Sequence, residues 1–376
     1  MRAFEILTEA EAVPATKKVG REFNHLEDLV FIDPENGAVR AVEILRSLER
    51  GAKDVAVKWD GYPTMYWGRD QDGTFILTGK NGWGRNKTTS ADDLADFILS
   101  TGKGEEWREK FAGDMAALWP IFESATPKDF RGFVYADILF HPGRPAQSTD
   151  GSIVFTPNKV TYTVNTNSEV GAKLAGKKAA VAATAIFNEF GSKQGKPFDG
   201  QDIFQGDVAV LGQTYVDHKP EVDLDNIDSL AQKANSVQSR IKEFFAPRKG
   251  LANIQEIFYR YVNYMGKQRR LDDLSKQTFL NYLEAAEAKL TDPKRQRVLD
   301  LAQEFVVKND NIVEDITDDI ISLVRQIMSA KDEVIRELDA AEGDVMANIG
   351  SEKGGEGYVI HSEKVKLVPR KRFTLN

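Results

Sequence analysis

The chain of 376 residues contains no cysteine. This absence excludes disulfide bonds, thiolate nucleophiles and cysteine-ligated zinc. Its four histidines are scattered along the sequence, so a zinc site built from imidazoles is not expected. The sequence also lacks an apolar run approaching the length of a membrane span, and its first residues are too acidic for a signal peptide. We therefore expect a cytoplasmic protein that makes no contact with a membrane.

An overall excess of positive charge is missing as well. The chain has 50 lysines and arginines against 58 aspartates and glutamates, which gives a formal net charge of −8 and argues against a globally basic nucleic-acid binder. Basic residues do cluster locally, most densely in residues 364–372, where five of nine positions are basic. Such a cluster is either a solvated surface or a set of phosphate contacts, so a nucleic-acid partner is restricted to local patches.

Hydrophobic patterning divides the chain into three parts. Residues 1–53 form a lead-in with one helix near 36–51, where apolar residues recur at helical spacing. Residues 54–218 together with 350–376 read as a mixed α+β core with an antiparallel sheet. Residues 219–349 have little glycine and apolar residues at spacings of three and four, which predicts an inserted α-helical bundle.

The predicted elements can be given by number. Alternating and continuous apolar runs predict strands over 54–60, 62–69, 74–80, 130–140, 152–157, 160–165, 178–187 and 206–215. Helical spacing and start signals predict helices over 90–101, 105–124, 223–246, 251–266, 271–290, 293–308 and 311–341.

The segment Lys58-Trp59-Asp60-Gly61 follows a short apolar run that is typical of a buried strand. Its Asp-Gly pair predicts a tight turn, after which a second strand begins. A lysine at the end of a buried strand is partly desolvated, which favours the neutral amine that can attack an electrophile. The pattern suits covalent catalysis through Lys58, although a hairpin with a solvated lysine has the same sequence.

Three further segments follow Lys58 in a fixed order. A predicted strand carries Asp137, the segment 356–360 reads Glu-Gly-Tyr-Val-Ile, and Lys364 and Lys366 flank a valine. With Lys-x-Asp-Gly, these segments resemble the covalent nucleotidyltransferase superfamily, which contains ATP-dependent DNA ligases, RNA ligases and GTP-dependent mRNA capping enzymes. The resemblance covers roughly residues 55–215 and 354–374, and the chain's last residues also resemble the end of a group of phage-encoded members.

The resemblance implies a role for each matching residue. Lys58 would become nucleotidylated, with Asp60 orienting that lysine and the ribose. Asp137 and Glu356 would hold Mg²⁺, a hard cation that prefers carboxylate oxygens. The phosphates would be neutralised by two lysines on one face of a strand, Lys364 and Lys366.

Four more positions are assigned to nucleotide binding. Gly61 belongs to the lysine motif itself. The segment 78–85 resembles the ligase segment Ser-Arg-Asn-Gly, with Lys80 in place of the arginine, so Lys80 and Arg85 would contact phosphates; a Gly-rich turn with exposed basic residues is the alternative. Tyr162 lies where the family stacks an aromatic ring on the nucleobase, and its alternative is a core aromatic within a strand.

The sequence also departs from the family pattern. Pro63 stands where DNA ligases usually have arginine, and Asp137 stands where glutamate is usual. Only ten residues follow Lys366, so we expect no OB-fold domain after the core. The helical segment 219–349 is then expected to hold the duplex instead.

These observations lead to one principal hypothesis. The protein is expected to be a monomeric, ATP-dependent polynucleotide ligase that acts on nicked duplex DNA, RNA or a hybrid, in a host cytoplasm if it is phage-encoded. One alternative is a GTP-dependent capping-type nucleotidyltransferase. Another is a non-catalytic nucleic-acid-binding or virion protein built on a degenerate core.

Overall fold

A computed structural model describes residues 23–373 of the chain, apart from residues 50, 52–53, 102–105, 199, 201, 217, 222, 248, 251, 288–290, 308–311 and 342. It has a mixed architecture of helices and three β-sheets, as the sequence patterns predict. No described helix combines the length and the apolar composition that a membrane span requires.

The strands, in chain order, are β1 (Asn24–His25), β2 (Val55–Val57), β3 (Thr64–Arg69), β4 (Phe75–Gly79), β5 (Gly132–Phe140), β6 (Gln147–Thr149), β7 (Ser152–Phe155), β8 (Thr161–Asn165), β9 (Ala179–Phe187), β10 (Lys196–Pro197), β11 (Val208–Leu211), β12 (Val345–Ile349), β13 (Glu352–Lys353), β14 (Tyr358–Ile360) and β15 (Val365–Leu367). Each predicted strand contains an observed one, so those predictions are confirmed.

The α-helices are α1 (Leu29–Ile32), α2 (Gly37–Glu49), α3 (Ala91–Ser100), α4 (Glu106–Ala125), α5 (Glu169–Leu174), α6 (Leu224–Phe245), α7 (Ile254–Lys267), α8 (Lys276–Glu287), α9 (Asp292–Val307), α10 (Ile312–Ala340) and α11 (Arg370–Phe373). The predicted helices agree with α2, α3, α4 and α6 to α10 within a few residues at most ends. The last long helix ends at Ala340, and β12 follows it, so the helical segment is shorter than the predicted 219–349.

The first sheet joins segments that are far apart in sequence. Its strand order is β1-β15-β14-β2, in which β14 lies antiparallel between β15 and β2. Val359 of β14 is the register partner of Lys366 on one side and of Ala56 on the other. This pairing places the segment that leads to Lys58 next to the two motifs near the chain end.

The other two sheets are built mainly from consecutive strands. The second sheet has the order β10-β9-β5-β3-β4, with β11 parallel to β9, and the third has the order β13-β12-β8-β7-β6. Helices α3 and α4 cover one face of the second sheet, because the residues that alternate inward on β3 and β4, such as Trp67 and Leu77, pack against Trp119 and Phe122. The opposite face carries an aromatic cluster around Tyr66.

One hydrophobic core connects the first sheet to the helical segment. Val55, Ile360 and Val365 of this sheet belong to the same buried cluster as apolar side chains of α1, α2 and α6 to α10. The helices therefore cover one side of the sheet that carries Lys58, and removing them would expose its apolar residues to water. The helical segment therefore shares a hydrophobic core with the first sheet.

Candidate active site

Lys58 is the first residue after β2, and its backbone is held by the neighbouring strand. The Lys58 N–H donates to the carbonyl oxygen of Gly357 at 2.9 Å. On the other edge of β2, the Val57 N–H donates to the carbonyl oxygen of Thr214 at 2.8 Å. These bonds fix the chain where the apolar strand ends, so the lysine side chain starts from a defined position.

The Lys58 ammonium forms an ion pair with the carboxylate of Glu356. The two side chains are 30% and 20% exposed, so the pair is largely but not fully removed from water. Burial raises the pKa of the Glu356 carboxyl, and the nearby Asp60 and Asp137 raise it further, while the Lys58 ammonium opposes this rise. Glu356 of the segment 356–360 thus lies directly against Lys58 of the Lys-x-Asp-Gly segment.

Lys366 lies on β15, opposite Val359 of β14, and is close enough to Lys58 and Glu356 for their charges to interact. Burial lowers the pKa of the Lys366 ammonium, and repulsion from Lys58 lowers it further. Burial and repulsion from a second cation both destabilise the charged form of Lys366. A negatively charged group placed between the two cations would offset this destabilisation. The structure therefore brings Lys58, Glu356 and Lys366 together, as the motifs predict.

Lys364 does not share that position. It lies in the turn before β15, its backbone has a φ of 53°, and its side chain is exposed. Its carbonyl oxygen accepts the Asn24 N–H at 3.1 Å, at the start of the pairing between β1 and β15. The prediction that both lysines alternate along one strand is therefore wrong, because the left-handed residue turns the chain before the strand begins.

Asp137 lies on β5, opposite Thr64 of β3, whose hydroxyl donates to the carboxylate at 2.5 Å. Burial raises the pKa of Asp137, while the Thr64 hydrogen bond and the cations of Lys58 and Lys80 oppose the rise. A Cβ atom added to Gly61 would lie 2.5 Å from the Cβ of Asp137. The loop after Lys58 thus passes directly over Asp137, and this close approach explains the glycine at that position.

Asp60 acts on the loop between β7 and β8. Its carboxylate accepts the backbone N–H of Lys159 at 2.9 Å and that of Val160 at 3.2 Å, and it also accepts the Asn158 side-chain amide at 3.0 Å. Both carboxylate oxygens are therefore occupied within the protein. Asp60 orients the segment that carries Lys58 by anchoring it, and the structure shows no contact between its carboxylate and the lysine ammonium.

Tyr162 is part of this anchor and not an accessible platform. Its side chain is fully buried, and its hydroxyl accepts the Asp60 N–H at 2.7 Å. Its ring centroid lies 4.7 Å from that of Trp59 and 5.6 Å from that of Phe155. A ring enclosed on both sides has no face to offer a nucleobase, so the core alternative describes Tyr162 in this conformation.

Lys80 and Arg85 are both exposed in the turn that follows β4. Lys80 lies near enough to Asp137 to lower the pKa of that carboxyl. Between them, Trp83 stacks on Tyr66 with ring centroids 4.1 Å apart and an interplanar angle of 9°. The predicted Gly-rich turn is thus present, and its partly buried tryptophan packs the turn against the aromatic face of the second sheet.

Asp137 and Glu356 were assigned to a metal ion, and their surroundings bear on that assignment. Among the residues that the structure describes, no three or more histidine, aspartate or glutamate side chains group as a metal site. Mg²⁺, however, commonly uses only one or two carboxylates, with water and phosphate oxygens as its other ligands. Two carboxyls whose pKa is raised by burial fit such a nucleotide-borne cation, since a cation would favour their charged forms.

A buried ionic cluster lies behind Lys366, and sequence reasoning missed it. Lys331 of α10 donates to both carboxylate oxygens of Glu27 at 2.9 Å, and Arg370 donates to both oxygens of Asp28 at 2.6 Å. His25, the register partner of Lys366 on β1, borders this cluster. Burial lowers the pKa of His25, and the cations of Arg370 and Lys366 lower it further.

The structure also contains a large cleft beside the third sheet. It has a volume of about 1440 Å³ and runs between the third sheet and the end of α10, with Val57 and Tyr358 at one wall. Neither Lys58 nor Glu356 lines it. We therefore build the candidate site on the residues around Lys58 and not on this cleft.

The comparisons with known proteins assign the chain to a family without assigning an activity. The chain belongs to a family of unknown function, DUF6267, whose model matches residues 21–376. No curated protein and no solved structure shows significant similarity to the chain.

Proposed function

We propose that this protein is a covalent nucleotidyltransferase that joins polynucleotide ends with ATP. The observation that carries the proposal is the meeting of Lys58, Glu356 and Lys366 at the end of one three-stranded unit, β2-β14-β15. Lys58 and Glu356 lie roughly 300 residues apart in the chain, and each belongs to a motif of that superfamily. A solvated lysine in a simple hairpin would not be expected to lie close to the other two motifs.

The first step uses Lys58 as the nucleophile. Its amine attacks the α-phosphorus of ATP, a P–N bond forms, and the bond to the bridging oxygen breaks, so that pyrophosphate leaves with the electron pair. The ammonium must lose a proton before the attack, and this lysine is held beside a carboxylate in the free protein. Lys366 supplies positive charge for the phosphoryl oxygens.

Asp137 and Glu356 are the residues that would hold Mg²⁺ beside the nucleotide. When bound, the cation neutralises charge on the phosphates. Gly61 keeps the loop close to Asp137, while Asp60 and Tyr162 keep the loop after Lys58 in place. Lys80 is assigned to phosphates together with Arg85, whereas Lys364 is assigned only to a more distant, solvent-exposed phosphate contact.

The later steps use a nucleic acid. AMP passes from Lys58 to a 5′-phosphate at a nick, and an adjacent 3′-hydroxyl then attacks that phosphate and releases AMP. Nicked duplex DNA, RNA or a hybrid is the proposed substrate, and the host cytoplasm is the proposed location if the protein is phage-encoded. The helical segment cannot be tested by deletion, because it shares its apolar core with the sheet that carries Lys58.

Retention of a nucleotide on Lys58 tests this proposal. The full chain is incubated with Mg²⁺ and either ATP or GTP, and peptide mass spectrometry locates any added nucleoside monophosphate. We expect AMP on Lys58 and no label on the Lys58→Ala variant. Lys178→Ala is the matched control, because Lys178 is an exposed lysine that also pairs with a carboxylate, that of Asp207.

The alternatives give different results in the same experiment. GMP on Lys58 would favour a capping-type enzyme over a ligase. A protein that retains neither nucleotide would contradict the proposal and favour the non-catalytic alternative. If AMP is retained, a nick-sealing panel with all four combinations of DNA and RNA strands then defines the substrate.

A further inference from the structure

A row of aromatic side chains runs over the surface from the loop of Lys58. Tyr62 directly follows Gly61, its ring centroid lies 6.4 Å from that of Phe111, and Phe111 lies 6.5 Å from Trp107. The side chains at the two ends, Tyr62 and Trp107, are 51% and 53% exposed. We call Tyr62, Phe111 and Trp107 the aromatic row. Scattered exposed aromatics are normal, whereas three in sequence that lead from a candidate active site require an explanation.

The backbone holds the aromatic row in place at its inner end. The Tyr62 N–H donates to the carbonyl oxygen of Ile138 at 2.9 Å, next to Asp137, and the Arg144 guanidinium donates to the carbonyl oxygen of Tyr62. The outer two rings lie four residues apart on α4, so they share one face of that helix. The row is thus mounted on regular structure and begins beside the proposed metal ligand.

The charged side chains of α4 beside the aromatic row are of both signs. The Arg108 guanidinium lies 4.8 Å from the ring centroid of Trp107, in a cation–π arrangement. Asp114, which shares the face of the row, is paired with Lys110 at 2.6 Å. Glu109 lies about 200° around the helix from Trp107, on the opposite side. A polyanion that follows the row therefore meets the Arg108 guanidinium. Of the described carboxylates on α4 near the row, Asp114 is paired and Glu106 lies about 100° around the helix from Trp107.

The basic turn with Lys80 and Arg85 lies at the same end of the second sheet. Gly79, the residue before Lys80, is the register partner of Met65, which lies three residues after Tyr62. Asp137 on β5 is near both features, because it is the register partner of Thr64, two residues after Tyr62, and its carboxyl is close enough to Lys80 to interact with that charge. The basic turn and the inner end of the aromatic row thus lie near the same carboxylate.

We propose that the aromatic row is a stacking platform for the bases of a single-stranded segment of the nucleic-acid substrate. Exposed rings with neighbouring arginines bind single strands because every base has a face that can stack and every nucleotide carries a phosphate. The proposal rests on the proposed function and deepens it, since it makes ends with an unpaired extension better substrates than fully paired nicks. Stacking does not read the 2′-hydroxyl, so both DNA and RNA extensions bind.

Binding of a labelled oligonucleotide tests the proposal. Fluorescence anisotropy measures the affinity of the full chain for a fluorescein-labelled single-stranded 12-mer, at fixed salt and without ATP. Loss of one stacked base predicts that Trp107→Ala weakens binding roughly tenfold, whereas Trp107→Phe keeps most of the affinity. Tyr215→Ala is the matched control, since Tyr215 is 49% exposed and lies beside β2, where it bridges Ala56, and not on α4.

Tryptophan emission provides a second readout. Trp59, Trp67 and Trp119 are buried and Trp83 is partly buried against Tyr66, so the part of the quenching by added oligonucleotide that is lost in Trp107→Phe comes from Trp107. Circular dichroism of each variant establishes that the fold is retained. Lys58 labelling with AMP is measured in parallel on every protein, because the aromatic row is not required for that step.

The outcomes separate this proposal from the proposed function. Equal affinity of Trp107→Ala and Tyr215→Ala overturns the platform, whether or not Lys58 retains AMP. Conversion of a dimer to a monomer by Trp107→Ala without loss of oligonucleotide binding also overturns it, because the row would then be a contact between copies. Weaker binding together with AMP on Lys58 supports both proposals, and weaker binding without AMP supports the platform while contradicting the ligase.

Discussion

Replacing Lys331 by methionine is predicted to remove a large part of the protein's stability. The Lys331 side chain is fully buried and donates to both carboxylate oxygens of Glu27, which is equally buried. Methionine fills a similar volume but leaves that carboxylate with one remaining cation, the Arg370 guanidinium, whose Nε lies 3.3 Å away. Breaking a buried ion pair by removing one partner costs about 3–5 kcal/mol.

The pH dependence of this loss follows from the pKa of Glu27. Burial alone would raise that pKa, but Lys331 and Arg370 hold it below its ordinary value. In the parent protein this depressed pKa contributes stability at neutral pH, which is lost as pH falls below about 4.5. In the variant burial prevails and the folded pKa lies above the unfolded one, so the variant regains stability as pH falls from neutrality toward 5. The difference in unfolding free energy between the two proteins should therefore shrink as pH falls.

Urea denaturation at pH 7.5 and pH 5.5, followed by circular dichroism, measures the effect. The control is Lys110→Met, which breaks an exposed pair with Asp114 and should cost no more than about 1 kcal/mol. The double variant Glu27→Gln, Lys331→Met leaves no unpaired buried charge and should recover part of the loss. A cost below 1 kcal/mol for Lys331→Met, or an equal cost at both pH values, would refute the reasoning.

Three further predictions concern single side chains around the site. Gly61→Ala should slow AMP transfer to Lys58 by about 10–100-fold, because the new Cβ would lie 2.5 Å from the Cβ of Asp137 and displace the loop. His25→Asn should flatten the fall of unfolding free energy below pH 6.5 by about 1.4 kcal/mol per pH unit, since the lowered pKa of His25 means that only the unfolded parent takes up that proton there. Tyr162→Phe should cost about 1–3 kcal/mol in urea denaturation, because the buried Asp60 N–H loses its acceptor.

Each of these predictions has an outcome that would contradict it. Gly79→Ala has open space around the added Cβ, so equal labelling rates for Gly61→Ala and Gly79→Ala would show that the approach to Asp137 is unimportant. Parallel stability curves for His25→Asn and the parent between pH 7.5 and 5.5 would mean that His25 titrates normally. An unchanged unfolding midpoint for Tyr162→Phe would show that the Tyr162 hydroxyl does not stabilise the loop after Lys58.

Most of the secondary structure could be predicted from the sequence, because its signals are local. The apolar run near 178–187 becomes β9, and the periodic segment near 311–341 becomes α10, each within two residues. The two-residue strands β1, β10 and β13 were not predicted, since pairing with a distant strand and not a local pattern makes them extended.

The part of the candidate site that could be predicted from the sequence is the part formed by the matching motifs themselves. The register of β14 brings Glu356 to Lys58, as the motifs require, but Lys364 takes a left-handed turn that nothing in its sequence neighbourhood indicates. Tyr162 looks the same in sequence whether it faces a ligand or the core. The partners Glu27 and Lys331 are 304 residues apart, so no spacing rule connects them.

The order of strands in the first sheet also determines when the candidate site can assemble during synthesis. Val359, the register partner of Ala56, is synthesised roughly 300 residues after it, and β15 is synthesised after Val359. A fragment that ends before residue 356 therefore contains Lys58 without Glu356 and Lys366. On the proposed function, such a fragment would not retain a nucleotide on Lys58, so the chemistry would require both motifs that follow the helical segment.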